Sequence, residues 1–358
     1  MNVKERLELM KQVGEEIITE EELKQLLEKK KAPIAYDGFE PSGTVIHIAQ
    51  GLLRAVNVNK MTKAGCKFKF LVADWHAWAN NKMGGNLDHI QKVGKYLIEV
   101  WKVCDMDFKN VEFIWASELL NNRDYWKTVL QVARNSTVKR IIRTGEIMGR
   151  SDSEVLQASQ IVYPCMQAAD IFHLEADITQ LGMDQRKVNI LAREIGLKIG
   201  FWKPVVVSHH MLMGLGEPPK GEKTVERTIQ MKMSKSNPNN AIFMTDAAEE
   251  VNRKIKKAYC PEGVVEENPI LEYCKYIIFE KFKSIKVERP KKFGGNIEFI
   301  SYEELEKVFT KKKLHPMDLK QATAEYLNKL MEPVRKKLEK NNAAQKLADE
   351  IRNFEVTR

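Results

Sequence analysis

Two lysines and two serines lie close together in the stretch QMKMSKSNP, which spans residues 230–238. The stretch, with Lys232, Ser234, Lys235 and Ser236, is too polar to form core and too short to be a tail. Ammonium and hydroxyl groups donate to phosphate oxygens, so a loop of this composition suits a phosphate-bearing ligand. Most Lys/Ser clusters are solvated basic turns, and that alternative stays open unless another part of the chain needs such a loop.

A second candidate phosphate element follows the predicted strand KAPIAYDGF. The turn GFEPSG spans residues 38–43, and His47-Ile48-Ala49-Gln50 begins the next helical pattern. Small residues let the backbone approach a nucleotide, and a helix N-terminus favours phosphate through its free N–H groups and its dipole. The turn is not GxGxxG and lacks the later acidic residue of a dinucleotide site. His47 taken alone is more often a helix cap or a surface histidine.

A third polar set lies in the predicted helix VYPCMQAADIFHL, residues 162–174. Tyr163, Gln167 and Asp170 stand at positions i, i+4 and i+7, so they project from one helix face. Without further information this face is most simply a solvated one. The alternative is the wall of a polar pocket.

The elements that would position these residues alternate along the first part of the chain. Apolar patterns predict strands in KAPIAYDGF, KFKFLVADW and VEFIWASE, with helices over residues 47–62 and 87–106 between them. Strand–helix–strand alternation predicts a parallel, doubly wound sheet with right-handed crossovers. In such a sheet ligands bind beyond the carboxyl ends of the strands, where the GFEPSG turn is expected.

The rest of the chain divides into three stretches. Residues 123–173 are predicted to be helical and form an insertion between sheet strands; EADITQLG and KPVVVSHH return to strand. Beyond a boundary placed near residue 245, helices dominate. The exception is IKVERPKKFGGNIEFIS, which predicts a β-hairpin turning at Gly294-Gly295. The N-terminus, MNVKERLELMKQVGEE, reads as a charged amphipathic helix and not as a signal peptide.

Composition narrows the class of protein. A chain of 358 residues suits two domains, and five scattered cysteines without a CxxC pair indicate a reducing cytoplasm and no zinc site. No apolar run is long enough to cross a membrane. The net charge is +9, of which residues 246–358 carry +4, with 24 Lys and Arg against 20 Asp and Glu. This mild excess fits either solubility or a polyanionic partner such as nucleic acid.

Taken together, the HIAQ turn and the KMSKS loop resemble the two signatures of class I aminoacyl-tRNA synthetases. The whole chain is similar to tyrosyl-tRNA synthetases of the archaeal and eukaryotic type. The stretches that carry the resemblance are AYDGFEPSG, ADWHAW, YPCMQAADI, GMDQRK, KMSKS, KIKKAYCPEGVVEENP, KFGG and LHPMDLK. The resemblance implies a Rossmann-like α/β catalytic domain, residues 1–245, with a helical insertion at about 117–160 and the KMSKS loop at 232–236. A mostly helical anticodon-binding domain, residues 246–358, would follow.

The resemblance also implies roles for individual residues. The catalytic residues would be His47, Lys232 and Lys235. The tyrosine pocket would consist of Tyr36, Tyr163, Gln167, Asp170 and Gln185. ATP would contact Gly38, Glu40, His47, Gln50, Asp184 and Lys235, with Asp184 at the ribose. ATP is then a substrate, and Mg²⁺ would bind through its phosphates.

For RNA, the resemblance implies that Arg143 and Arg186 contact the first acceptor-stem pair of tRNA-Tyr. Phe293, His315 and Asp318 would surround the first anticodon base. An aromatic ring can stack on an unstacked base, and a carboxylate can accept from the edge of guanine. The simpler alternatives are a plain hairpin turn for FGG and a helix N-terminal charge for Asp318. The resemblance further implies a homodimer whose interface the helical insertion supplies.

One departure and three rivals remain. The usual HIGH signature is HIAQ here, so Gln50 lacks the charge of a second histidine. A tryptophanyl-tRNA synthetase would share the fold but would leave Tyr36 and Asp170 without a hydroxyl to bind. A small nucleotidyltransferase would leave the C-terminal 113 residues unexplained, and an RNA-binding protein without catalysis would not need an intact KMSKS loop.

Overall fold

The central element is a six-stranded sheet. In the computed structural model, which describes residues 1–145, 157–221, 227, 230–235, 237–354 and 356, its strands are β1 (Gly14–Ile18), β2 (Ile34–Phe39), β3 (Lys67–Val72), β4 (Val111–Trp115), β5 (Ile178–Thr179) and β6 (Val205–His209). Their order across the sheet is β1-β6-β5-β2-β3-β4. Five strands are parallel and β1 joins β6 as an antiparallel edge. This confirms the predicted parallel α/β sheet, to which the antiparallel edge strand β1 is an unpredicted addition.

The strand order reverses direction between β2 and β5. From β2 the chain adds β3 and β4 on one side, while β5 and β6 lie on the other side. Tyr36 of β2 is paired with Thr179 of β5 at this position. A reversal of this kind leaves a crevice at the carboxyl ends of the two central strands. The turn after β2 and the GMDQ segment after β5 therefore open into the same crevice.

Ten α-helices with defined bounds precede residue 245 in the described part of the chain. They are α1 (Val3–Lys11), α2 (Glu20–Lys29), α3 (Arg54–Lys63), α4 (Asp74–Ala79), α5 (Leu87–Val103), α6 (Ala116–Leu119), α7 (Arg123–Arg134), α8 (Val138–Thr144), α9 (Ala158–His173) and α10 (Arg186–Gly196). A π-helix, Ala49–Leu53, leads into α3. The helical insertion predicted for residues 117–160 is helical where it is described, and residues 146–156 lie outside the described residues.

Two local predictions were wrong. The N-terminal helix ends at Lys11, and GEEII forms the edge strand β1, because Ile17 and Ile18 pair with the β-branched residues of β6. The strand β3 ends at Val72, and DWHAWA forms helix α4 instead of continuing the strand. The carboxylate of Asp74 accepts from the backbone N–H groups of Trp75 and Ser117, at 3.0 Å each, which fixes this turn.

The C-terminal part consists of six helices and one hairpin within the described residues. The helices are α11 (Ala248–Lys257), α12 (Pro269–Tyr273), α13 (Phe279–Lys281), α14 (Tyr302–Thr310), α15 (Pro316–Lys340) and α16 (Asn342–Ile351), with a π-helix, Cys274–Ile278, after α12. Strands β7 (Ile285–Val287) and β8 (Ile297–Phe299) form the predicted antiparallel hairpin. Gly294 and Gly295 adopt positive φ values of 96° and 70° in its turn, a conformation that glycine adopts without strain.

Two clusters of buried apolar side chains make up the core. The larger runs from Met10 to Ile351 and includes Met244, Val251 and Ile255, so it continues across the predicted boundary near residue 245. The smaller one joins α7, α9 and α10 to Tyr36 and Leu71 of the sheet. The domain division itself stays a prediction. No helix among the described residues has the length and apolarity needed to span a membrane.

Candidate active site

The HIAQ turn is held by backbone pairing with a distant segment. Ile48 donates its N–H to the carbonyl of Ile242 at 2.9 Å, and Met244 donates to Ile46 at 2.8 Å. His47 therefore forms an antiparallel bridge with Phe243. The π-helix that follows brings Gly51 so close to Met244 that a Cβ on Gly51 would lie 2.7 Å from its side chain. A glycine at position 51 is thus required by packing.

His47 is buried and neutral. Burial, followed by the charges of Lys235, Arg54 and Lys232, holds the pKa of His47 well below its ordinary value. Its Nδ1 accepts from the backbone N–H of Gln50 at 3.3 Å. A neutral ring that accepts at Nδ1 carries its proton on Nε2, so His47 can donate one hydrogen bond from Nε2 without carrying charge.

The KMSKS segment pairs with residues 212–214. Gly214 donates to the carbonyl of Met231 and Met233 donates to Leu212, both at 2.8 Å, so Lys232 lies opposite Met213. The Nζ of Lys232 donates to Oδ2 of Asp184 at 2.6 Å. Burial acts against the charge of Asp184, but Lys232 keeps the pKa of Asp184 below its ordinary value. Ser236 of the predicted loop lies outside the described residues.

Lys235 brings the two phosphate elements together. A Cβ built on Gly43, in the turn after β2, would lie 3.0 Å from Cδ of Lys235. The Nζ of Lys235 is buried and has no hydrogen-bond partner among the residues that the structure describes. Burial and the charge of Arg54 lower the pKa of Lys235 to about 8. An unpaired buried ammonium is costly, so an anion bound here would be strongly stabilised.

Sequence reasoning missed an ion pair beneath this cation. Arg54 Nε lies 3.0 Å from Oδ2 of Asp37, and both side chains are largely buried. The guanidinium of Arg54 also lies over the rings of Phe70 and Trp101, at 5.6 and 5.4 Å from their centroids. Arg54 follows HIAQ by four positions, a spacing that places it one helical turn further on. The sequence gives no signal that links it to Asp37.

The predicted tyrosine-pocket residues of α9 are buried, not solvated. Tyr163 and Gln167 are each 7% exposed and Asp170 is fully buried. The hydroxyl of Tyr163 donates to Oε1 of Glu40 at 2.7 Å, which connects α9 to the turn after β2. Nε2 of Gln167 donates to Oε1 of Gln185 at 2.9 Å, while Oε1 of Gln167 is buried without a hydrogen-bond partner in the described structure. That oxygen can accept from an ammonium group.

Asp170 has two neighbours that the sequence did not reveal. Its Oδ1 accepts from the hydroxyl of Tyr125 at 2.8 Å, and Nε2 of His76 lies 2.8 Å from Oδ2. Burial alone would lower the pKa of His76, but the Asp170 carboxylate raises it above its ordinary value. Burial, and then the negative charge of Asp170, raise the pKa of Tyr36 well above its ordinary value, so its hydroxyl stays protonated.

The other predicted ATP contacts lie around this crevice: Gly38, Glu40, Gln50 and Asp184. Gly38 follows Asp37 in β2, and a Cβ on Gly38 would lie 3.1 Å from the hydroxyl of Tyr36. Oε1 of Gln50 is buried without a hydrogen-bond partner among the described residues, and its backbone carbonyl accepts from Trp101 Nε1 at 2.7 Å. Their contacts with nucleotide stay predictions.

The predicted acceptor-stem residues lie on adjacent helices. Arg143 is exposed near the end of α8, and Arg186 begins α10 with its Nε 2.8 Å from a carboxylate oxygen of Glu16. Arg140 and Glu194 join these two helices at 2.9 Å. The two predicted residues therefore belong to helices that contact each other, and Arg186 carries a partner that RNA would have to displace.

The predicted anticodon residues lie at the hairpin and at the start of α15. Phe293 is 58% exposed and His315 caps α15, with its Nδ1 accepting from the N–H of Met317 at 3.2 Å. Asp318 lies in the first turn of that helix. Arg289, another residue that the sequence did not single out, donates to the carbonyls of Gly295 at 2.7 Å and Lys313 at 2.9 Å. It thereby holds the hairpin beside the helix start.

Comparisons with known proteins agree with this geometry. Residues 28–332 match the family model described as tRNA synthetases class I (W and Y). The chain belongs to this family. It is 51% identical, over 99% of its own length and 90% of the relative's, to the Arabidopsis thaliana protein named tyrosine–tRNA ligase 1, cytoplasmic.

Solved structures extend the likeness to the whole synthetase fold. A tyrosyl-tRNA synthetase from Pyrococcus horikoshii, solved with L-tyrosine, is 41% identical with a TM-score of 0.88, and covers 98% of this chain and 100% of that one. A Leishmania major tyrosyl-tRNA synthetase solved with tyrosinol is 43% identical with a TM-score of 0.89. The match covers 98% of the present chain and 52% of the longer Leishmania chain. The predicted α/β class I fold is confirmed.

Lys235 gives the site a testable pH dependence. Because the pKa of Lys235 is lowered to about 8, the ammonium form is lost as pH rises through that value. We expect kcat/KM for ATP in the first half-reaction to fall above about pH 8, since this parameter reports groups of the free enzyme. Lys235→Arg should remove the alkaline fall, because arginine stays charged.

Lys235→Ala should slow formation of the aminoacyl-adenylate by about 10²–10³-fold, with little change in amino-acid affinity. Pre-steady-state kinetics measures both quantities. A normal rate in Lys235→Ala, or an unchanged alkaline fall in Lys235→Arg, would remove this side chain from the mechanism.

Proposed function

We propose that the chain is a tyrosine–tRNA ligase. It activates L-tyrosine with ATP to give tyrosyl-adenylate and pyrophosphate, and then transfers the tyrosyl group to the 3′ end of tRNA-Tyr. The relatives reported above carry this name. The observation that supports the proposal most directly is the buried pocket of Tyr36, Gln167 and Asp170, which Glu40 joins to the turn that faces Lys235.

In the first step the tyrosine carboxylate attacks the α-phosphorus of ATP. A new oxygen–phosphorus bond forms, the bond to pyrophosphate breaks, and the electron pair leaves with pyrophosphate. Lys235 neutralises the charge that grows on the leaving group, and His47 donates from Nε2 to a phosphate oxygen. No side chain forms a covalent bond, so catalysis consists of positioning and electrostatic stabilisation.

The tyrosine ammonium is held at the other end of the pocket. Oε1 of Gln167, which has no hydrogen-bond partner among the described residues, accepts one of its protons, and Gln185 fixes Gln167 through their 2.9 Å hydrogen bond. Asp184, already oriented by Lys232, accepts from the hydroxyls of the ribose. The amide and carboxylate side chains around β5 thus orient the substrate carboxylate towards the α-phosphate.

Magnesium enters with the nucleotide. Among the described residues no group of three or more His, Cys, Asp and Glu side chains could hold a metal ion. Glu40 of the turn after β2 and Asp184 beside the KMSKS segment already accept from Tyr163 and Lys232. This donor set suits an ion that is carried by the phosphates, where it adds positive charge to that of Lys235.

Selectivity for tyrosine comes from the phenol-binding end of the pocket. Asp170, held between Tyr125 and His76, offers a buried carboxylate, and the protonated hydroxyl of Tyr36 completes the pair. Phenylalanine and tryptophan lack the hydroxyl that these groups bind. They would leave buried polar groups desolvated and unpaired, which costs more than a missing methylene does.

The decisive experiment is amino-acid-dependent ATP–pyrophosphate exchange with tyrosine, phenylalanine and tryptophan. Rejection of phenylalanine by about 10⁵ is the value known for this enzyme class, and we take that magnitude as given. We expect Asp170→Asn and Tyr36→Phe to lower the ratio of kcat/KM for tyrosine over phenylalanine, with the larger loss in Asp170→Asn, because a carboxylate is the stronger acceptor. Asp170→Asn is preferred to Asp170→Ala, which would leave His76 and Tyr125 facing a cavity.

Tyr96→Phe is the matched control, because Tyr96 is a buried tyrosine of α5 outside the pocket. Its preference for tyrosine should equal that of the parent protein. Full preference in both pocket variants would mean that the hydroxyl is bound elsewhere. Exchange that depends on tryptophan and not on tyrosine would refute the proposed function.

The RNA partner is tRNA-Tyr, read at two places. Phe293 and His315 offer exposed rings near the hairpin, and Asp318 offers a carboxylate that can accept from guanine. Arg143 and Arg186 contact the acceptor stem. Arg186 is paired with Glu16 in the free protein. When tRNA binds, a phosphate or a base edge therefore replaces the Glu16 carboxylate as the partner of Arg186.

Asp318→Ala separates RNA binding from activation. We expect aminoacylation to fall by about 5- to 150-fold, the equivalent of one lost base contact of 1–3 kcal/mol, while exchange stays unchanged. Discrimination against tRNA altered at the first anticodon base should fall in parallel. Equal losses of exchange and aminoacylation would assign Asp318 a structural role, and we would then abandon its contact with the base.

The synthetase is further proposed to be a cytoplasmic homodimer. Leu130 of α7 is 69% exposed and Val138 of α8 is 66% exposed, on the helical insertion where the second subunit would pack. Exposed large apolar side chains on this segment suit an interface. Light scattering that gives the mass of one chain at assay concentration would exclude the dimer. The cytoplasmic assignment follows the names of the Arabidopsis relatives.

A further inference from the structure

Met213 lies between the KMSKS segment and a helix of the C-terminal part. On one side, the residues that flank Met213 make the hydrogen bonds to the KMSKS segment: Gly214 bonds to Met231, and Leu212 bonds to Met233. Met213 lies opposite Lys232 and forms no hydrogen bond with it, so the two are a non-hydrogen-bonded pair. In an antiparallel pair such a residue points its own N–H and C=O away from the partner strand. The backbone groups of Met213 therefore face outwards and need other partners.

Both partners come from consecutive residues of α12. The N–H of Met213 donates to Oε2 of Glu272 at 2.9 Å, and its carbonyl accepts from the hydroxyl of Tyr273 at 2.8 Å. Tyr273 is fully buried. α12 is itself fixed by Asn268, whose side chain accepts from the N–H groups of Ile270 and Leu271. The helix thus presents two rigid groups to one strand residue.

His210 orients the carboxylate of Glu272. Its Nε2 lies 3.0 Å from Glu272, its Nδ1 lies 3.0 Å from Glu15 of β1, and its ring stacks on Tyr276 with centroids 4.3 Å apart. Burial alone would lower the pKa of His210, but the two carboxylates raise it to about 9. His210 is therefore charged at neutral pH and holds Glu272 in place.

We propose that Glu272 and Tyr273 are positioning residues for Lys232 and Lys235, and that they act through the backbone of Met213. The proposal rests on the proposed function and extends it, because it gives the C-terminal part a role in tyrosine activation, a step that needs no RNA. A shift of Met213 moves the residue opposite it, Lys232. Lys235 follows three residues later on the same segment.

The sharpest variant is Tyr273→Phe, which removes one hydroxyl and keeps the ring in the core. We expect the single-turnover rate of tyrosyl-adenylate formation, measured without tRNA, to fall about 5- to 20-fold, as the loss of one buried hydrogen bond implies. KM for tyrosine should stay within about twofold, because the tyrosine pocket belongs to the other core cluster. Amide hydrogen exchange should quicken at Gly214 and Met233, whose N–H groups close the pairing.

Tyr326→Phe is the matched control. Tyr326 is also buried and its hydroxyl accepts from the backbone N–H of Lys286 at 2.8 Å, within the C-terminal part and away from the KMSKS segment. Its rate and the exchange at Gly214 and Met233 should match the parent protein. Equal slowing in Tyr273→Phe and Tyr326→Phe would show general destabilisation and overturn the proposal, as would a parental rate in Tyr273→Phe.

Glu272 supplies an independent test. In Glu272→Gln a side-chain carbonyl can still accept from Met213, whereas Glu272→Ala loses the acceptor. We expect Glu272→Gln to retain a faster rate than Glu272→Ala. Equal rates in these two variants would mean that the charge facing His210 matters and the contact with Met213 does not, which overturns the proposal.

The tyrosine–tRNA ligase activity and the link from α12 to the KMSKS segment can be tested separately. If the parent protein shows no tyrosine-dependent exchange, the proposed function is wrong. Faster amide exchange at Gly214 and Met233 in Tyr273→Phe, with Tyr326→Phe unchanged, would then still support the mechanical link. If the parent protein is active and Tyr273→Phe is indistinguishable from it in rate and in amide exchange, only the link is wrong.

Discussion

The site is organised around a positive charge that the described protein leaves unpaired. The ammonium of Lys235 is buried against the turn after β2. Burial and then the charge of Arg54 lower the pKa of Lys235, against the opposing charge of Glu40, and Arg54 also lowers the pKa of His47. A buried cation without an anion is unfavourable, and the folded chain supports it through the rest of its packing. A bound polyphosphate would neutralise this charge. The free energy that the folded protein loses by burying Lys235 unpaired is then recovered as affinity for the phosphates, where negative charge develops in the reaction.

The carboxylates near the crevice each have a partner. Asp37 faces Arg54 and Asp184 binds Lys232. Glu40 accepts from Tyr163, and Asp170 lies between Tyr125 and His76. None of these acids is directed at Lys235 by a hydrogen bond in the described structure. The separation keeps one end of the crevice suited to phosphate and the other to a phenol.

Much of this arrangement follows from local sequence patterns. Alternating strands and helices predicted the parallel sheet, and the i, i+4, i+7 spacing placed Tyr163, Gln167 and Asp170 on one face. The spacing could not show that this face is buried, because burial depends on α7 and on Glu40, which are distant in sequence. Charged residues likewise hid the edge strand β1, whose formation depends on β6 nearly 200 residues later.

The residues whose roles sequence reasoning missed share one property. Each of them contacts at least one group that lies 17 or more positions away in the chain: Arg54, His76, Tyr125, Arg289 and Tyr273. The most distant of these pairings joins His76 to Asp170, 94 positions away. Motifs identify groups that meet the substrate, while the side chains that hold those groups become visible once the fold is known.

The ammonium of Lys235 has no hydrogen-bond partner in the part of the chain that the structure describes, and we infer that a bound phosphate supplies its anionic partner. NMR titration of protein with ¹³C-labelled lysine side chains tests it directly, with Lys235→Arg used to assign the signal. We expect a pKa of about 8 in the free protein and a return towards the ordinary value of 10.5 when pyrophosphate is bound. A value near 10.5 without ligand, or no change on binding pyrophosphate, would contradict the account.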